Sequence, residues 1–342
     1  MANEPGELYF VREQEVHGGA LTNYVKIGLV KDKDGRDSFT RLKEHQTGNP
    51  RELVLEADDV IKCQDINRIE TLMHQTFAQH RISGEWFEFS GGGEISATKA
   101  YALNLAAEID AAKPIFDAAA ALEEVEDDGS VIEPTNEARK LAKVASENKA
   151  KVSIIEGIEK EIKSKLVSAV SAGVDTKGAV SVSERALPGK FDEEKFKAEN
   201  ADLYAKFIVA KTKMTKRFTQ KFETPDLASL DQRFQDFVAA SQETVQAAAI
   251  QDVNILNELS LKLAHEKALA NWEFERATAR IRVLCGTHKE ITGICTWSRV
   301  TKTTETFDAK AFKAAHEDFY GAYVTDGGTT VVQKTAKRKA KD

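Results

Sequence analysis

The length, composition and charge of the chain bound the class of protein. Its 342 residues predict two or three domains at about 150 residues each, and 42% hydrophobic with 30% charged residues is typical of chains that bury a core. This composition excludes collagen-like and wholly disordered chains, and no apolar run approaches the roughly 18 residues of a membrane span. The formal net charge of -7 excludes coating of nucleic acid by bulk charge, so contact with DNA requires local basic patches.

The N-terminal residues and the cysteines favour the cytoplasm. Residues 1–7 are acidic and lack the apolar stretch of a secretory signal. The three cysteines, Cys63, Cys285 and Cys295, show no zinc-site spacing and suit a reducing compartment. We therefore expect a cytoplasmic protein with no membrane contact.

The first 90 residues or so predict a compact α+β domain. Aromatic and β-branched runs predict a three-stranded antiparallel sheet, whose first two strands are joined by a turn at His17-Gly18-Gly19. Ser38 is predicted as the N-cap of a helix, and Gly48-Asn49-Pro50 ends that helix. The predicted strands are 8–12, 24–30 and 52–57, the predicted helices are 38–46 and 66–80, and a short extended segment at 84–89 closes the unit.

The remainder of the chain predicts long helices. Gly91-Gly92-Gly93 is interpreted as a hinge, after which helices are predicted at 97–125, at 136–172 and, over roughly fifty residues, at 228–284. The last two carry periodic apolar positions among frequent charges, a pattern typical of coiled-coil or partner-helix packing. We therefore expect a homo-oligomer that assembles through these helices.

An internal repeat lies between and after the long helices. Phe191-Asp192, Phe196-Lys197 and Leu203-Tyr204 recur 116 residues later as Phe307-Asp308, Phe312-Lys313 and Phe319-Tyr320. This constant offset predicts two small duplicated α/β modules of the form helix–β–helix–β. The predicted divisions are an N-terminal domain at 1–92, a helical hinge or linker at 93–134, a helix plus first module at 135–223, a helix plus second module at 224–334, and a basic disordered tail at 335–342.

Five short stretches of the N-terminal region occur in a characteristic order. They are ELYFV around Tyr9, YVKIGLV around Lys26, TRLKEHQTGNP around Arg41, IETLMHQTF around Glu70 and His74, and GEWFEF near residue 87. In this order and spacing they resemble the GIY-YIG nuclease superfamily, specifically its phage-type branch. The resemblance covers roughly residues 7–90. It implies a small GIY-YIG-like fold and, if a phage encodes the protein, location in the host cytosol.

The resemblance also implies a metal site and a phosphate site. Glu70 would be the one protein ligand of Mg²⁺ (or Mn²⁺), an ion that keeps most of its water shell and suits a single carboxylate. Arg41 would bind the phosphate oxygens with its planar, permanently charged guanidinium.

The assignment of the general base stays divided between Tyr9 and Lys26. Tyr9 matches the first motif, whose hydroxyl helps to deprotonate water in the family, whereas Lys26 stands where many members carry tyrosine. His74 would assist proton transfer or orient Glu70, and His45 is a weaker candidate near Arg41. The alternative for these residues is structural: Tyr9 as a core aromatic, and Arg41 with Glu70 as a surface ion pair.

Together these features predict a phage-type, metal-dependent DNA endonuclease, with DNA as its partner. The alternatives are a non-catalytic protein that uses the same scaffold to bind DNA or a host factor, and a recombination accessory protein acting through the duplicated modules.

The modules themselves resemble the tail that follows YqaJ-type phage exonuclease domains, in the order T-W, F-D, F-K and L-Y. Beside the aromatic Phe218 in the first module, a run of cations predicts a basic-aromatic face for nucleic acid: Lys211, Lys213, Lys216 and Arg217. The alternative is that the module aromatics form only a small hydrophobic core.

Overall fold

The computed structural model describes residues 4–16, 19–47 and 49–338. The predicted turn residues His17 and Gly18, the predicted helix-ending Gly48 and residues 339–342 of the predicted tail lie outside the described residues. The fold is mixed α+β, as predicted, with an antiparallel sheet and flanking helices at the N-terminus and long helices after it. In the part of the chain described, no helix is both long and apolar enough to cross a lipid bilayer.

The strands form one N-terminal sheet and several ribbons. The N-terminal strands are β1 Gly6–Gln14, β2 Leu21–Lys31, β3 Leu53–Val54, β4 Val60–Cys63, β5 Arg81–Ser83 and β6 Trp86–Glu88. The later strands are β7 Val131–Ile132, β8 Val180–Ala186, β9 Lys190–Phe191, β10 Ile208–Gln220, β11 Glu290–Ile291, β12 Cys295–Phe307, β13 Val324–Thr325 and β14 Thr329–Thr335.

The helices are of two kinds, short connecting helices and long helices. They are α1 Ser38–Gln46, α2 Ile66–Thr76, α3 Gly92–Glu123, α4 Asn136–Ser171, α5 Glu193–Glu199, α6 Ala201–Lys206, α7 Gln232–Ala247, α8 Val253–Cys285, α9 Ala309–Ala315 and α10 Glu317–Gly321.

The N-terminal sheet has the strand order β3-β1-β2-β6-β5, with β4 also paired to β1. The sheet therefore has six strands instead of the predicted three: it contains the predicted strands, takes in the extended segment as β6, and gains β4 and β5, which the sequence did not indicate. A short 3-10 turn at Ala57–Asp59, closed by reciprocal hydrogen bonds between Glu56 and Asp59, ends the third strand early and lets β4 pair separately with β1. Strands β3 and β4 therefore pair with opposite ends of β1 along the same edge of the sheet.

Alternation along β1 divides the sheet into two faces. Leu8 and Phe10 are fully buried in the core formed with α2 and α3, whereas Tyr9 and Val11 face the smaller cluster beneath α1. The three glycines interpreted as a hinge lie at the start of α3, and Ile95 in its first turn already belongs to the larger core. Helix α3 is therefore packed on the sheet from its beginning.

Helix α8 joins this layer to the rest of the molecule. Trp272 of α8 is buried in the same core as the sheet residues. The guanidinium of Arg68, on α2, lies 4.7 Å from the ring centre of Phe116 and 5.1 Å from that of Trp272, and its Nε donates to Asp65 at 3.0 Å. Arg68 also forms an ion pair with Glu275 of α8, so stacking on Trp272 and this ion pair together fix α2 against α8.

The prediction of one helix across 228–284 is wrong, because the segment folds as two helices, α7 and α8. Ala248 adopts an extended backbone, and Lys165 of α4 donates from Nζ to the carbonyl oxygens of Val245 and Ala248 at 2.5 and 2.7 Å. Asp252 then accepts the backbone N–H of Ala249 at 2.8 Å. These bonds satisfy backbone groups that the interrupted helix leaves without partners.

Because of this break, both α7 and α8 pack on α4 within one chain. The shared core contains Ile158 and Leu166 of α4, Val238 of α7 and Leu263 of α8. The apolar positions that indicated partner-helix packing are therefore buried intramolecularly, and assembly into a homo-oligomer stays a prediction.

The two predicted modules pair strand by strand with each other. We call residues 180–220 the first copy and residues 295–335 the second copy. Strand β8 pairs with β14, β9 with β13 and β10 with β12, always antiparallel. Phe196 of the first copy and Phe307 and Phe312 of the second are the buried residues of one shared aromatic cluster. The copies therefore form one interlocked unit.

The interlocking is symmetric. Asp192 and Asp308 each accept a hydrogen bond at 3.0 Å from the backbone N–H three residues later, which caps α5 and α9. The backbone N–H of Asp192 donates to the carbonyl oxygen of Tyr323 in the second copy at 2.8 Å. The backbone N–H of Asp308 likewise donates to the carbonyl oxygen of Phe207 in the first copy at 2.8 Å. Each copy thus supplies the other with the same contacts.

Phe312→Ala tests this interlocking. Removing a fully buried aromatic is expected to cost about 3–5 kcal/mol of unfolding free energy. Because strands of the first copy pair with strands of the second, hydrogen exchange should accelerate in β8 and β10 as well as in β12 and β14. Val331→Ala, at a side chain 55% exposed on β14, is the control and should leave exchange unchanged. Acceleration confined to the second copy would contradict the interlocked unit.

Candidate active site

The site begins with the packing of Tyr9 on Gly28. These residues are opposite each other in the β1–β2 ladder, so their side-chain positions lie on the same face of the sheet. A Cβ atom added to Gly28 would lie 2.5 Å from the Tyr9 hydroxyl oxygen and 2.6 Å from its Cζ. The phenol therefore lies directly over the Gly28 backbone, and the glycine of the KIG motif is required because any side chain would displace the ring.

Helix α1 is anchored to β1 by the half-buried carboxylate of Glu7. The backbone N–H and hydroxyl of Ser38 both donate to Glu7 Oε2, at 2.9 and 2.7 Å. The predicted N-cap, Ser38, is therefore wrong: Asp37 caps the helix by accepting the Thr40 N–H at 2.8 Å. Ser38 is instead fully buried in the first turn, where its hydroxyl fixes the helix over the Tyr9 face of the sheet.

This anchoring brings His45 and Arg41 of α1 to the phenol. The Tyr9 hydroxyl lies 3.1 Å from Nε2 of His45. Burial of the phenol, together with the charges of Glu85 and Glu70, raises the pKa of Tyr9 to about 12 against the opposing effect of Arg41. The phenol therefore lies within electrostatic reach of Arg41, Glu85 and Glu70.

The surroundings of Arg41 and His45, both on α1, shift the pKa of each side chain. Arg41 forms an ion pair with Glu44, and that hydrogen bond raises the guanidinium pKa above its ordinary value. Burial lowers the pKa of His45, and the positive charges of Lys26 and Arg41 lower it further. Near neutral pH the imidazole is therefore uncharged and its nitrogen is able to accept a proton.

Glu70 reaches the site from α2, on the other side of the sheet. Burial raises the pKa of Glu70 to about 7, the negative charge of Glu85 contributes, and Arg81 and Lys26 oppose the shift. A half-buried carboxylate facing a second carboxylate is stabilised by a cation between or beside them. The residues present therefore fit a divalent ion at Glu70, where the ion would favour the ionised carboxylate.

Lys26 forms an ion pair with Glu85, a residue that the sequence analysis did not single out. Burial raises the pKa of Glu85, but the hydrogen bond and charge of Lys26 outweigh it, so the pKa is below its ordinary value. Glu85 comes directly before Trp86, which is opposite Lys26 in the β2–β6 ladder. Glu85 is the first glutamate of the GEWFEF motif, so the sequence contains the residue. Its contact with Lys26 depends on the register of β6 with β2, which motif order does not predict.

His74 connects α2 to the second strand. Its Nε2 donates to the carbonyl oxygen of Ile27 at 2.8 Å, and its ring centre lies 5.3 Å from that of Phe87. Burial lowers the pKa of His74 although the bond to Ile27 opposes it. The imidazole thus holds the helix that carries Glu70 beside the KIG segment.

A cleft of about 620 Å³ opens beside Glu70 and His74. Arg81 lies on the same wall, and burial lowers its pKa while the charges of Glu85 and Glu70 oppose that shift. Lys160 and Lys163 of α4 line the opposite wall. The cleft gives a ligand access to the Glu70 carboxylate between the N-terminal sheet layer and the long helices.

The four basic residues predicted to bind nucleic acid lie elsewhere, on β10. Lys211, Lys213 and Arg217 are exposed, whereas Lys216 forms an ion pair with Glu124. The predicted basic-aromatic face is wrong in one respect: Phe218 packs in the helical core near Trp297, on the other side of the strand from Lys211, Lys213 and Arg217.

Glu70→Gln tests the cause of the raised carboxyl pKa. The ionised form is disfavoured in the folded state, so its destabilising effect is absent below the unfolded pKa of 4.5 and complete above about 7. The variant should therefore be more stable than wild type at pH 8 by about 1–2 kcal/mol after solvent screening is allowed for, and no more stable at pH 4. Urea unfolding measures the difference.

The exposed Glu52→Gln is the control for this measurement and should give no pH-dependent difference. Added Mg²⁺ should raise the stability of wild type at pH 8 and leave Glu70→Gln unaffected, because ligand binding stabilises only a folded state that binds it. Equal stabilisation of both proteins by Mg²⁺ would contradict a site at Glu70.

Gly28→Ala tests the packing of the phenol. The added methyl group overlaps the Tyr9 ring, so the unfolding free energy should fall by about 1–3 kcal/mol and the Tyr9–His45 contact should be lost. Urea unfolding and the NMR shifts of the His45 ring check this. Gly93→Ala is the matched control, because a Cβ there meets open space in a helix and should be neutral or stabilising. An unperturbed His45 in Gly28→Ala would contradict the packing.

Residues 6–106 match the family model of the T5orf172 domain, a phage-associated domain often linked to GIY-YIG-type and HNH-type nucleases. No curated protein and no solved structure matches the chain. The match covers less than a third of the 342 residues and includes the whole site around Tyr9, Arg41 and Glu70. It indicates a phage-type, nuclease-like or DNA-binding domain in the N-terminal region.

Proposed function

We propose that the N-terminal domain hydrolyses phosphodiester bonds of DNA with a divalent metal ion, as a phage-type endonuclease with a GIY-YIG-like site. The observation that carries this proposal is the surroundings of the Tyr9 phenol: His45 lies 3.1 Å from its hydroxyl, and the charges of Arg41 and Glu70 both act on its pKa. The match of residues 6–106 to a domain linked to nucleases supports it independently. The later helices and copies would target the domain or assemble it into oligomers.

Arg41 is the residue best suited to bind the scissile phosphate. Its side chain is about one-third exposed, and its partner Glu44 is more exposed still. A phosphate group that displaces Glu44 would keep the guanidinium charge neutralised and gain two parallel hydrogen bonds. The ion pair therefore holds Arg41 near the site in a conformation that an incoming phosphate can use.

Tyr9 and His45 form the proton-transfer pair that the geometry favours. With a pKa of about 12 the phenol keeps its proton at neutral pH, so alone it is a poor base. His45 lies 3.1 Å away and is uncharged near neutral pH, so it can receive the phenol proton as the phenol takes one from water. Lys26, ion-paired with Glu85, is better suited to a positive charge beside the phosphate than to proton abstraction.

Glu70 would hold Mg²⁺ or Mn²⁺ as the one protein ligand. The bound ion would supply positive charge that neutralises the phosphoryl oxygens. The carboxylate pKa of about 7 makes the affinity for the ion rise between about pH 6 and 8, because the ligand must be ionised. His74 holds α2 in place through the Ile27 carbonyl, and Arg81 adds positive charge at the cleft.

Plasmid nicking tests this proposal. With Mg²⁺ at pH 8, wild type should nick supercoiled DNA, and Arg41→Ala and Glu70→Gln should each lower the rate by about 10²-fold or more. Arg36→Ala is the matched control, because Arg36 also pairs with Glu44 but does not contribute to the Tyr9 pKa. Its rate should stay within about twofold of wild type.

The outcomes separate the proposal from its alternatives. Nicking unaffected by both Arg41→Ala and Glu70→Gln would reject the assigned site. Binding of DNA without turnover in Mg²⁺ and Mn²⁺ at pH 8 would indicate a non-catalytic domain that keeps the scaffold for recognition. Nicking retained by a chain that begins near Thr135 would assign the activity to the later region.

A further inference from the structure

The two copies build a β-ribbon that is open on both sides. Strands β10 and β12 pair along thirteen residues each, from Ile208 opposite Phe307 to Gln220 opposite Cys295. Between the aromatic cluster at one end and the helical core at the other, residues 210–213 and 300–305 are exposed on both strands. A two-stranded ribbon without a packed face is only marginally stable on its own, so the middle of this one is held by its two ends.

The ladder register collects cations on one face of the ribbon. Lys211, Lys213 and Arg217 alternate along β10, so their side chains lie on the same face, about 6.8 Å apart for successive positions. Lys302 is directly opposite Lys213 on β12 and therefore lies on that face too. We call Lys211, Lys213, Arg217 and Lys302 the basic face.

Hydroxyl groups and one exposed valine, Val300 opposite Thr215, fill the positions between these cations. Thr304 is opposite Lys211, Ser298 is opposite Arg217, and Thr215 lies between Lys213 and Arg217 on β10. Cations interspersed with hydroxyl groups are the side chains that contact phosphate oxygens of DNA. The register of β10 with β12 shows no carboxylate at these positions.

The acidic residues near the ribbon lie away from the basic face. Glu305 is opposite Ala210, on the other face, and Lys216 on that same face is neutralised by Glu124. Glu126 accepts the backbone N–H of Thr301 at 2.8 Å, at the outer edge of β12. None of the four cations of the basic face forms an ion pair with a described residue. Their charge is therefore available to an external anion.

The second ribbon repeats this distribution with fewer charges. In the β8–β14 ladder Arg185 is opposite Thr330 and Lys334 is opposite Ser181, with Ser183 between them on the same face. Glu184 is opposite Val331, on the other face. The interlocked copies thus present two ribbons, each with one face that combines cations with hydroxyl groups.

We propose that the basic face of the β10–β12 ribbon binds duplex DNA through its phosphates. A two-stranded ribbon fits the major groove of B-DNA, about 12 Å wide, and its cations then lie beside the phosphates that line the groove. Single-stranded DNA is normally bound by stacking of bases on exposed aromatic rings. The basic face carries none, because Phe218 and Trp297 lie on the opposite side and pack in the helical core.

This surface goes beyond the proposed function, because it is separate from the Tyr9 site and binds DNA whether or not that site hydrolyses it. Residues 1–95 carry 11 basic and 17 acidic residues, so the N-terminal region alone has little attraction for DNA. A basic ribbon rooted in the helical core would supply the affinity that this region lacks.

Binding of a fluorescein-labelled 24-base-pair duplex to the full chain tests the proposal. Fluorescence anisotropy is measured in EDTA, which prevents turnover, at several salt concentrations. Replacing all four cations of the basic face by alanine should weaken binding at least about tenfold and reduce the slope of log K against log salt by about 3–4. Lys213→Ala alone should reduce the slope by about 1.

Lys216→Ala is the matched control, because it removes the same charge from the other face of the same strand. Its duplex affinity should equal that of wild type, and unfolding temperatures should show that every variant folds. Equal weakening by Lys213→Ala and Lys216→Ala would overturn the proposal, as would full affinity in the fourfold variant or tighter binding of the 24-nucleotide single strand than of the duplex.

The nicking assay on the same proteins separates this proposal from the catalytic one. Glu70→Gln should bind the duplex like wild type in EDTA while failing to nick. If Glu70→Gln loses nicking but substitutions in the basic face do not change duplex binding, the DNA-binding proposal is rejected and the nuclease proposal is retained. Duplex binding that depends on the basic face, with no nicking by wild type, would do the reverse.

Discussion

The candidate site depends on the contact between the Tyr9 ring and the backbone of Gly28, which has no side chain. Tyr9 can lie across β2 only because Gly28 has no side chain, and the two are opposite each other only because β1 and β2 pair in one register. A shift of one residue would turn Tyr9 to the face that now holds Leu8 and Phe10. The pairing register of β1 with β2 therefore fixes the position of a chemical group as well as the core.

Burial sets the chemistry of the groups around this contact. Desolvation is the largest influence on Tyr9, His45 and Glu70 alike, and it disfavours the charged form of each. A phenol, an imidazole and a carboxyl group that are all driven toward neutrality form a site with little charge of its own. Under the proposed function, charge would enter with the ligands, because a cation would favour ionised Glu70 and a phosphate would bind Arg41.

The sequence predicts those parts of the site that depend on residue type and order. Motif order predicts Tyr9, Arg41 and Glu70, and their roles stay predictions. Motif order does not predict Glu85, because its role follows from the pairing of β6 with β2, which brings it to Lys26. The sequence predicts the N-cap of α1 at Ser38, one residue after the observed cap Asp37, because serine and aspartate are both favoured N-cap residues. The burial of Ser38 against Glu7 depends on tertiary packing, which the local sequence does not show.

The same limit applies to the long helices and the copies. The apolar periodicity of 228–284 continues through the alanines near residue 248, and the helix ends there because Lys165, some eighty residues earlier, donates to its last carbonyl groups. The constant offset of the aromatic residues predicts two copies but not that their strands pair with each other. That pairing is what aligns Lys213 with Lys302, so the basic face belongs to neither copy alone. A duplication that interlocks thereby creates a surface that a single module could not have.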